Sequence, residues 1–190
     1  GLEQRFLATC GWAAVVLMLS SPDSLLSLGQ VDPWGLVVDG ECSDRRFAFA
    51  SVCITDQESV LAGCLASLCS LLATTDPACV IVFVSHWVYE VARAAFQQNG
   101  MLPVVAPAWE PLAFASPPPH LQSRGDSFAK LEAFRLSQYE RVAAFDPSVL
   151  FMRNASALQE AGHFATPRAP RARGAARRLH TGLMVLRPSL

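Results

Sequence analysis

The only lysine in the chain is Lys130, and an Asp146-Pro147-Ser148 step follows it. A lysine near the start of a helix, where free backbone N–H groups also point outward, suits phosphate binding. Asp146 closes the short apolar segment Arg141-Val-Ala-Ala-Phe145. A carboxylate in such a place can hold a hard cation, and the cation can neutralise a diphosphate leaving group. Each residue also has a plain reading: Lys130 as a solvated surface lysine, Asp146 as a turn former before proline. Thr55-Asp56 and Ser85-His86 likewise follow apolar segments. His86 reads as a partly buried structural histidine, with Trp87 adding a stacking surface. Asn154-Ala155-Ser156 is a glycosylation sequon. No GxGxxG, GxxxxGK[ST] or GxSxG motif is present, which removes the usual support for dinucleotide, P-loop and serine-hydrolase chemistry.

These residues need elements to position them. Phe47 to Ile54 is a strand candidate, and Thr55-Asp-Gln-Glu58 fits a capping box. Val60, Leu61, Cys64, Leu65, Leu68 and Leu72 follow at helical spacing, ending near Asp76-Pro77. Val80-Ile-Val-Phe-Val84 is a continuous apolar run, as in a strand buried on both faces. Val88 to Gln98 reads as a helix stopped by Asn99-Gly100. Leu102 to Ala106 reads as a strand, and the Pro-rich stretch from Pro103 to Pro119, around Trp109, as an extended loop. Asp126-Ser127 can cap a helix to about Gln138, Ala155 to Ala161 a short one, and Leu183 to Leu186 a last strand. Strands alternating with helices imply βαβ units, a mainly parallel sheet and ligands at the carboxyl ends of strands.

Composition sets the class. The chain has 190 residues, 52% hydrophobic and 16% charged, which excludes a disordered protein and fits one domain. A net charge of −1 excludes a globally basic nucleic-acid binder. The arginines between Arg168 and Arg178 read as a solvated loop, and no nucleic-acid partner is expected. Phe6 to Leu19 is apolar but shorter than the roughly 20 residues of a spanning helix. Residues 1–21 therefore read as a signal peptide or short signal-anchor, the one membrane element expected. Residues 22–45 read as a linker, and the domain begins at residue 46. The six cysteines form no CxxC pair and no zinc spacing. Cys64 and Cys69 read as small buried hydrophobes. In an oxidising lumen Cys42 could pair with another cysteine, which one being open.

Four ordered segments resemble glycosyltransferase family 8, the glycogenin-like enzymes. Ser127-Phe-Ala-Lys-Leu-Glu-Ala-Phe-Arg-Leu-Ser-Gln-Tyr-Glu-Arg-Val-Ala-Ala-Phe-Asp-Pro-Ser-Val-Leu-Phe-Met-Arg-Asn154 is similar to the family's Lys-bearing helix, Gln-Tyr step, strand and Asp-x-Asp motif. Phe47-Ala-Phe-Ala-Ser-Val-Cys-Ile-Thr-Asp56 resembles its first strand and nucleotide-binding turn, and Ser70-Leu71 the Ser-Leu pair of the next helix. Phe164-Ala-Thr-Pro167 and His180-Thr-Gly-Leu-Met-Val-Leu-Arg-Pro-Ser189 resemble the later segment, where the family has Asn-Ser-Gly, a strand and Pro-Ser.

The resemblance spans 46–190. It implies an α/β, Rossmann-like GT-A domain of the nucleotide-diphospho-sugar transferases, C-terminally truncated. It implies a UDP-sugar donor, retention at the anomeric carbon, a glycan or protein acceptor, and Mn2+ between the Asp-x-Asp motif and the diphosphate. By carry-over, Thr55 and Asp56 lie at the nucleoside and Lys130 approaches the donor phosphate or sugar. Asp146 is the first metal carboxylate, and Thr181 and Gly182 border sugar and acceptor. Three departures stand out. Ser148 occupies the second metal position, His180 replaces the Asn, and the family's Asp-Gln segment and late His are not in the chain. Two functions follow: a hexosyltransferase of the secretory pathway (ER or Golgi lumen, membrane-anchored or secreted), or an inactive relative that binds nucleotide or a partner. The departures predict that this chain alone does not transfer sugar. An unrelated secreted α/β module is the third reading.

Overall fold

The computed structural model describes residues 37–38, 42, 45–54, 58–106, 129–167 and 181–189. Residues 1–21, Thr55, Asp56, Trp109, the Arg168–Arg178 loop and His180, all named in the sequence reading, lie outside them. β1 (Val37–Val38) precedes β2 (Phe47–Cys53), α1 (Glu58–Thr74), β3 (Val80–Val84), α2 (His86–Gln98) and β4 (Met101–Val105). A 3-10 helix (Ala129–Arg135), β5 (Arg141–Phe145), a second 3-10 helix (Ser156–Glu160) and β6 (Leu183–Leu186) follow. Among the described residues no helix is long and apolar enough to cross a membrane.

The described strands form one sheet in the order β1-β4-β3-β2-β5-β6. The four central strands are parallel, and β1 and β6 add antiparallel edges. The fold is thus α/β with a mostly parallel, helix-flanked sheet. β2 sits near the middle and is buried along its whole length. Its side chains alternate: Phe47, Phe49 and Cys53 join the core under α1 and α2, while Ala48, Ala50 and Val52 face the other way. On that second face, Ala129 and Ala133 of the 3-10 helix pack with Ala48, Ala50 and Ala144. Methyl-sized residues on both sides leave room for a helix to lie close to the sheet.

Several expected elements differ in detail. The helix expected up to Gln138 is a 3-10 helix of seven residues, Ala129–Arg135. β4 includes Pro103, which lacks an N–H; the Pro-rich stretch read as loop therefore begins inside a strand close to the sheet edge, where proline is tolerated. Within the stretch read as linker, Val37 pairs with Val105 and Cys42 is disulfide-bonded to Cys79. The outer edge of β6 is met at Val185 by Ala165, through two backbone hydrogen bonds of 2.7 and 2.9 Å. The stop of α2 matches the expectation: Asn99 caps it and Gly100 takes φ 71°, a conformation glycine adopts freely.

The cysteine reading needs correction. Cys64 is not a free buried thiol: it is bonded to Cys53 at the carboxyl end of β2, with Cα atoms 5.9 Å apart. Cys69 is disulfide-bonded as well. Helical spacing identified the buried face of α1 but carried no information on which strand end that face meets. The Cys42–Cys79 bond, with Cα atoms 5.5 Å apart, closes a loop across 37 positions and ties the chain before β2 to the start of β3. Replacing Cys42 and Cys79 together by serine is expected to lower stability by about 2–4 kcal/mol, read from denaturant melts with and without reductant.

Candidate functional site

The chain runs from β2 to β3 to β4 on one side, then returns to β5 on the other side of β2. α1 and α2 pack on one face and the Ala129–Arg135 helix on the opposite face. Strand order therefore reverses between β2 and β5. In open α/β sheets, the crevice beyond the carboxyl ends at such a reversal is where ligands bind. Thr55 and Asp56 follow β2 in sequence, and Asp146 is the first residue after β5.

Three of the expected site segments meet at this crevice. β6 runs antiparallel to β5 with Leu183 opposite Phe145, so its start lies beside the end of β5. Gly182 consequently accepts a hydrogen bond from the Asp146 backbone N–H at 2.8 Å. Lys130, second residue of its 3-10 helix, reaches over the sheet end. Its Nζ lies 3.0 and 3.2 Å from the two carboxylate oxygens of Asp146. The same ammonium donates to the Thr181 carbonyl at 3.2 Å and approaches its hydroxyl at 3.4 Å. Lys130, Asp146, Thr181 and Gly182 thus form one cluster drawn from three distant parts of the chain.

The Lys130 side chain is 13% exposed and that of Asp146 30%. The pair is only partly desolvated, so its two-pronged geometry and the Thr181 contacts matter more than a low dielectric. The plain reading of Lys130 as a free surface lysine is corrected by these contacts. The turn reading of Asp146 also holds: Val149 N–H donates to the Asp146 carbonyl at 3.0 Å, with Pro147 in the second turn position. Ser148 lies exposed on that turn. The described donor set for a divalent ion is one carboxylate already facing an ammonium and one exposed hydroxyl. A hard cation takes about six oxygen ligands. Among the described residues no group of three His, Cys, Asp or Glu could hold a metal ion.

The turn is held from below by hydroxyls of α1 and of Thr75, the residue after it. Ser70 Oγ donates to the Ser67 carbonyl at 2.6 Å and accepts from the Phe151 backbone N–H at 2.9 Å. Ser67 Oγ donates to the Val149 carbonyl, and Thr75 Oγ1 accepts from the Ala155 N–H at 3.0 Å. Phe151 meets Phe145 edge-to-face, ring centres 5.0 Å apart, and Phe49 at 6.1 Å. Ser67 and Thr75 were absent from the sequence reading. Their signal is small hydroxyls spaced along and just after an otherwise apolar helix, which alone does not say what they bond.

His86 corrects the sequence reading: its side chain is 77% exposed, at the start of α2, 3.9 Å from Glu90. Ser85 caps that helix instead, accepting from the Val88 N–H at 3.2 Å. No family model and no curated protein matches the chain.

Ser70→Ala is expected to cost about 1–3 kcal/mol, because the buried Phe151 N–H loses its acceptor. Equilibrium urea unfolding checks this, and an unchanged midpoint would remove Ser70 as the support of the turn.

Proposed function

We propose that this chain is a GT-A-type nucleotide-sugar domain of glycogenin-like character. It binds a UDP-sugar at the crevice between β2 and β5, for transfer of a hexose to a glycan or protein acceptor with retention. The observation that carries the reading is the convergence of Lys130, Asp146, Thr181 and Gly182 at the strand-order reversal. These residues come from three separate segments of the sequence, and the resemblance placed all of them around one donor. In this reading Lys130 offers positive charge to the diphosphate, Thr181 and Gly182 border the sugar, and Thr55-Asp56 meets the nucleoside. Charge held in place where a leaving group develops its own is the term that accelerates group transfer most. In the family's scheme a Mn2+ ion held by Asp146 and the Ser148 position would supply Lewis-acid neutralisation.

A second reading, a domain that binds nucleotide or a partner without turnover, is favoured by one observation. Ser148 gives no second carboxylate, and the one carboxylate present faces Lys130.

The proposed setting is the secretory pathway, ER or Golgi lumen, with the apolar segment near the N-terminus as signal or anchor. The disulfides Cys42–Cys79 and Cys53–Cys64 support an oxidising compartment. Asn154 is exposed, and its side-chain oxygen accepts from the Ser156 N–H at 2.8 Å.

Titration calorimetry of the full chain with UDP, with and without manganese, tests the donor site. Binding in either condition is expected, and a folded chain that binds UDP in neither sinks the proposal. Release of UDP from UDP-hexoses in the presence of acceptors then separates transferase from silent binder. In secretory expression, Asn154 is expected to carry an N-linked glycan removed by peptide N-glycosidase and absent from Asn154→Gln. A mature secreted chain without it would remove Asn154 as a glycosylation site.

A further inference from the structure

The electrostatics of the cluster bear on how a diphosphate would be held. Lys130 has three N–H donors and no acceptor. Two face the carboxylate oxygens of Asp146, at 3.0 and 3.2 Å. The third is shared between the carbonyl and hydroxyl of Thr181, at 3.2 and 3.4 Å. Asp146 is therefore not an open anionic ligand waiting for a cation. A divalent ion on its carboxylate would have to displace an ammonium at salt-bridge distance. It would then find only one charged oxygen donor among the described residues of the turn, since Ser148 is neutral and exposed. Thr181, by contrast, is a neutral and exposed acceptor pair. A phosphate oxygen, being anionic, replaces a carbonyl as partner of the third Lys130 donor at a net gain.

We propose that the site binds its nucleoside diphosphate without a divalent ion: the Lys130 ammonium is the cation, and Asp146 orients that lysine instead of ligating metal. The inference rests on the nucleotide-binding reading above and specifies its chemistry. Asp146 is in this account a positioning residue. It aims Lys130 at the crevice, and its own negative charge opposes the anion that Lys130 receives. Loss of the charge with retention of shape therefore has an unusual expected sign.

The test is UDP binding to the full chain in excess chelator and in manganese, for the native protein and for Lys130→Ala, Lys130→Arg and Asp146→Asn. Circular dichroism and melting temperature confirm that each is folded. Native affinity is expected to be equal in chelator and in manganese to within about threefold. Lys130→Ala is expected to weaken it by about tenfold or more, the worth of a charge-assisted hydrogen bond, with partial recovery in Lys130→Arg. Asp146→Asn is expected to bind about fivefold tighter in chelator, the effect of removing a unit charge at about 4 Å in water. Binding that appears only with manganese and vanishes in Asp146→Asn overturns the inference and leaves the nucleotide reading standing. Weaker binding of Asp146→Asn in manganese but not in chelator also overturns it. A folded native chain that binds UDP in neither condition overturns both.

Discussion

Everything in the described domain hangs on β2, a strand buried along its length with parallel neighbours on both sides. A parallel neighbour cannot be reached by a tight turn, so each connection must cross a face of the sheet. Both faces of β2 are apolar apart from Ser51, whose hydroxyl donates to the Phe145 carbonyl, and both must be covered. Right-handed crossovers then send the connections on its two sides over opposite faces. α1 and α2 cover one face and the Ala129–Arg135 helix the other. The crevice between β2 and β5 is the geometric result of that reversal, independent of what the crevice binds.

The crevice is kept in shape by small polar groups set into apolar surroundings. Ser67, Ser70 and Thr75 bond backbone groups of the segment Val149–Ala155. Buried backbone groups without partners are costly, so these hydroxyls hold an irregular segment in place where no strand ladder can. Phe151 inserts between Phe145 and Phe49 and pins the same segment from the apolar side. The Cys53–Cys64 bond joins the carboxyl end of β2 to α1 at the same end of the sheet. Two kinds of interaction, hydroxyl hydrogen bonds and ring packing, thus converge on one irregular stretch. That stretch carries the Asp146 turn and belongs to the rim of the crevice.

At the rim, charge arrangement decides between chemistries that share one set of residues. An aspartate after a strand can serve a metal, a turn or a lysine. Here it serves the turn through its backbone carbonyl and the lysine through its carboxylate. The two roles use different atoms and do not conflict. The same residue therefore fits the plain turn reading, while its carboxylate faces a lysine where the resemblance implied a metal ion.

Much of the sheet was legible from the chain alone. Val80–Val84 is an apolar run without polar interruption and Phe47–Cys53 is broken only by Ser51, and a strand covered on both faces needs such a run. The α2 stop at Asn99-Gly100 was legible because capping is local chemistry. What the chain could not disclose is which local pieces meet. The exposure of His86, the Cys53–Cys64 and Cys42–Cys79 bonds, and the hydroxyl anchors of α1 all depend on the register between distant segments. The 3-10 helix that carries Lys130 packs on the alanine-lined sheet face, a contact between segments distant in sequence. The sequence by itself determined that strands alternate with helices and that one lysine and one aspartate flank a strand, because periodicity and turn chemistry are short-range. Only the tertiary structure decided that Lys130 rests on Asp146 and Thr181, because that contact needs β5 and β6 paired antiparallel and the helix lying over β2 and β5.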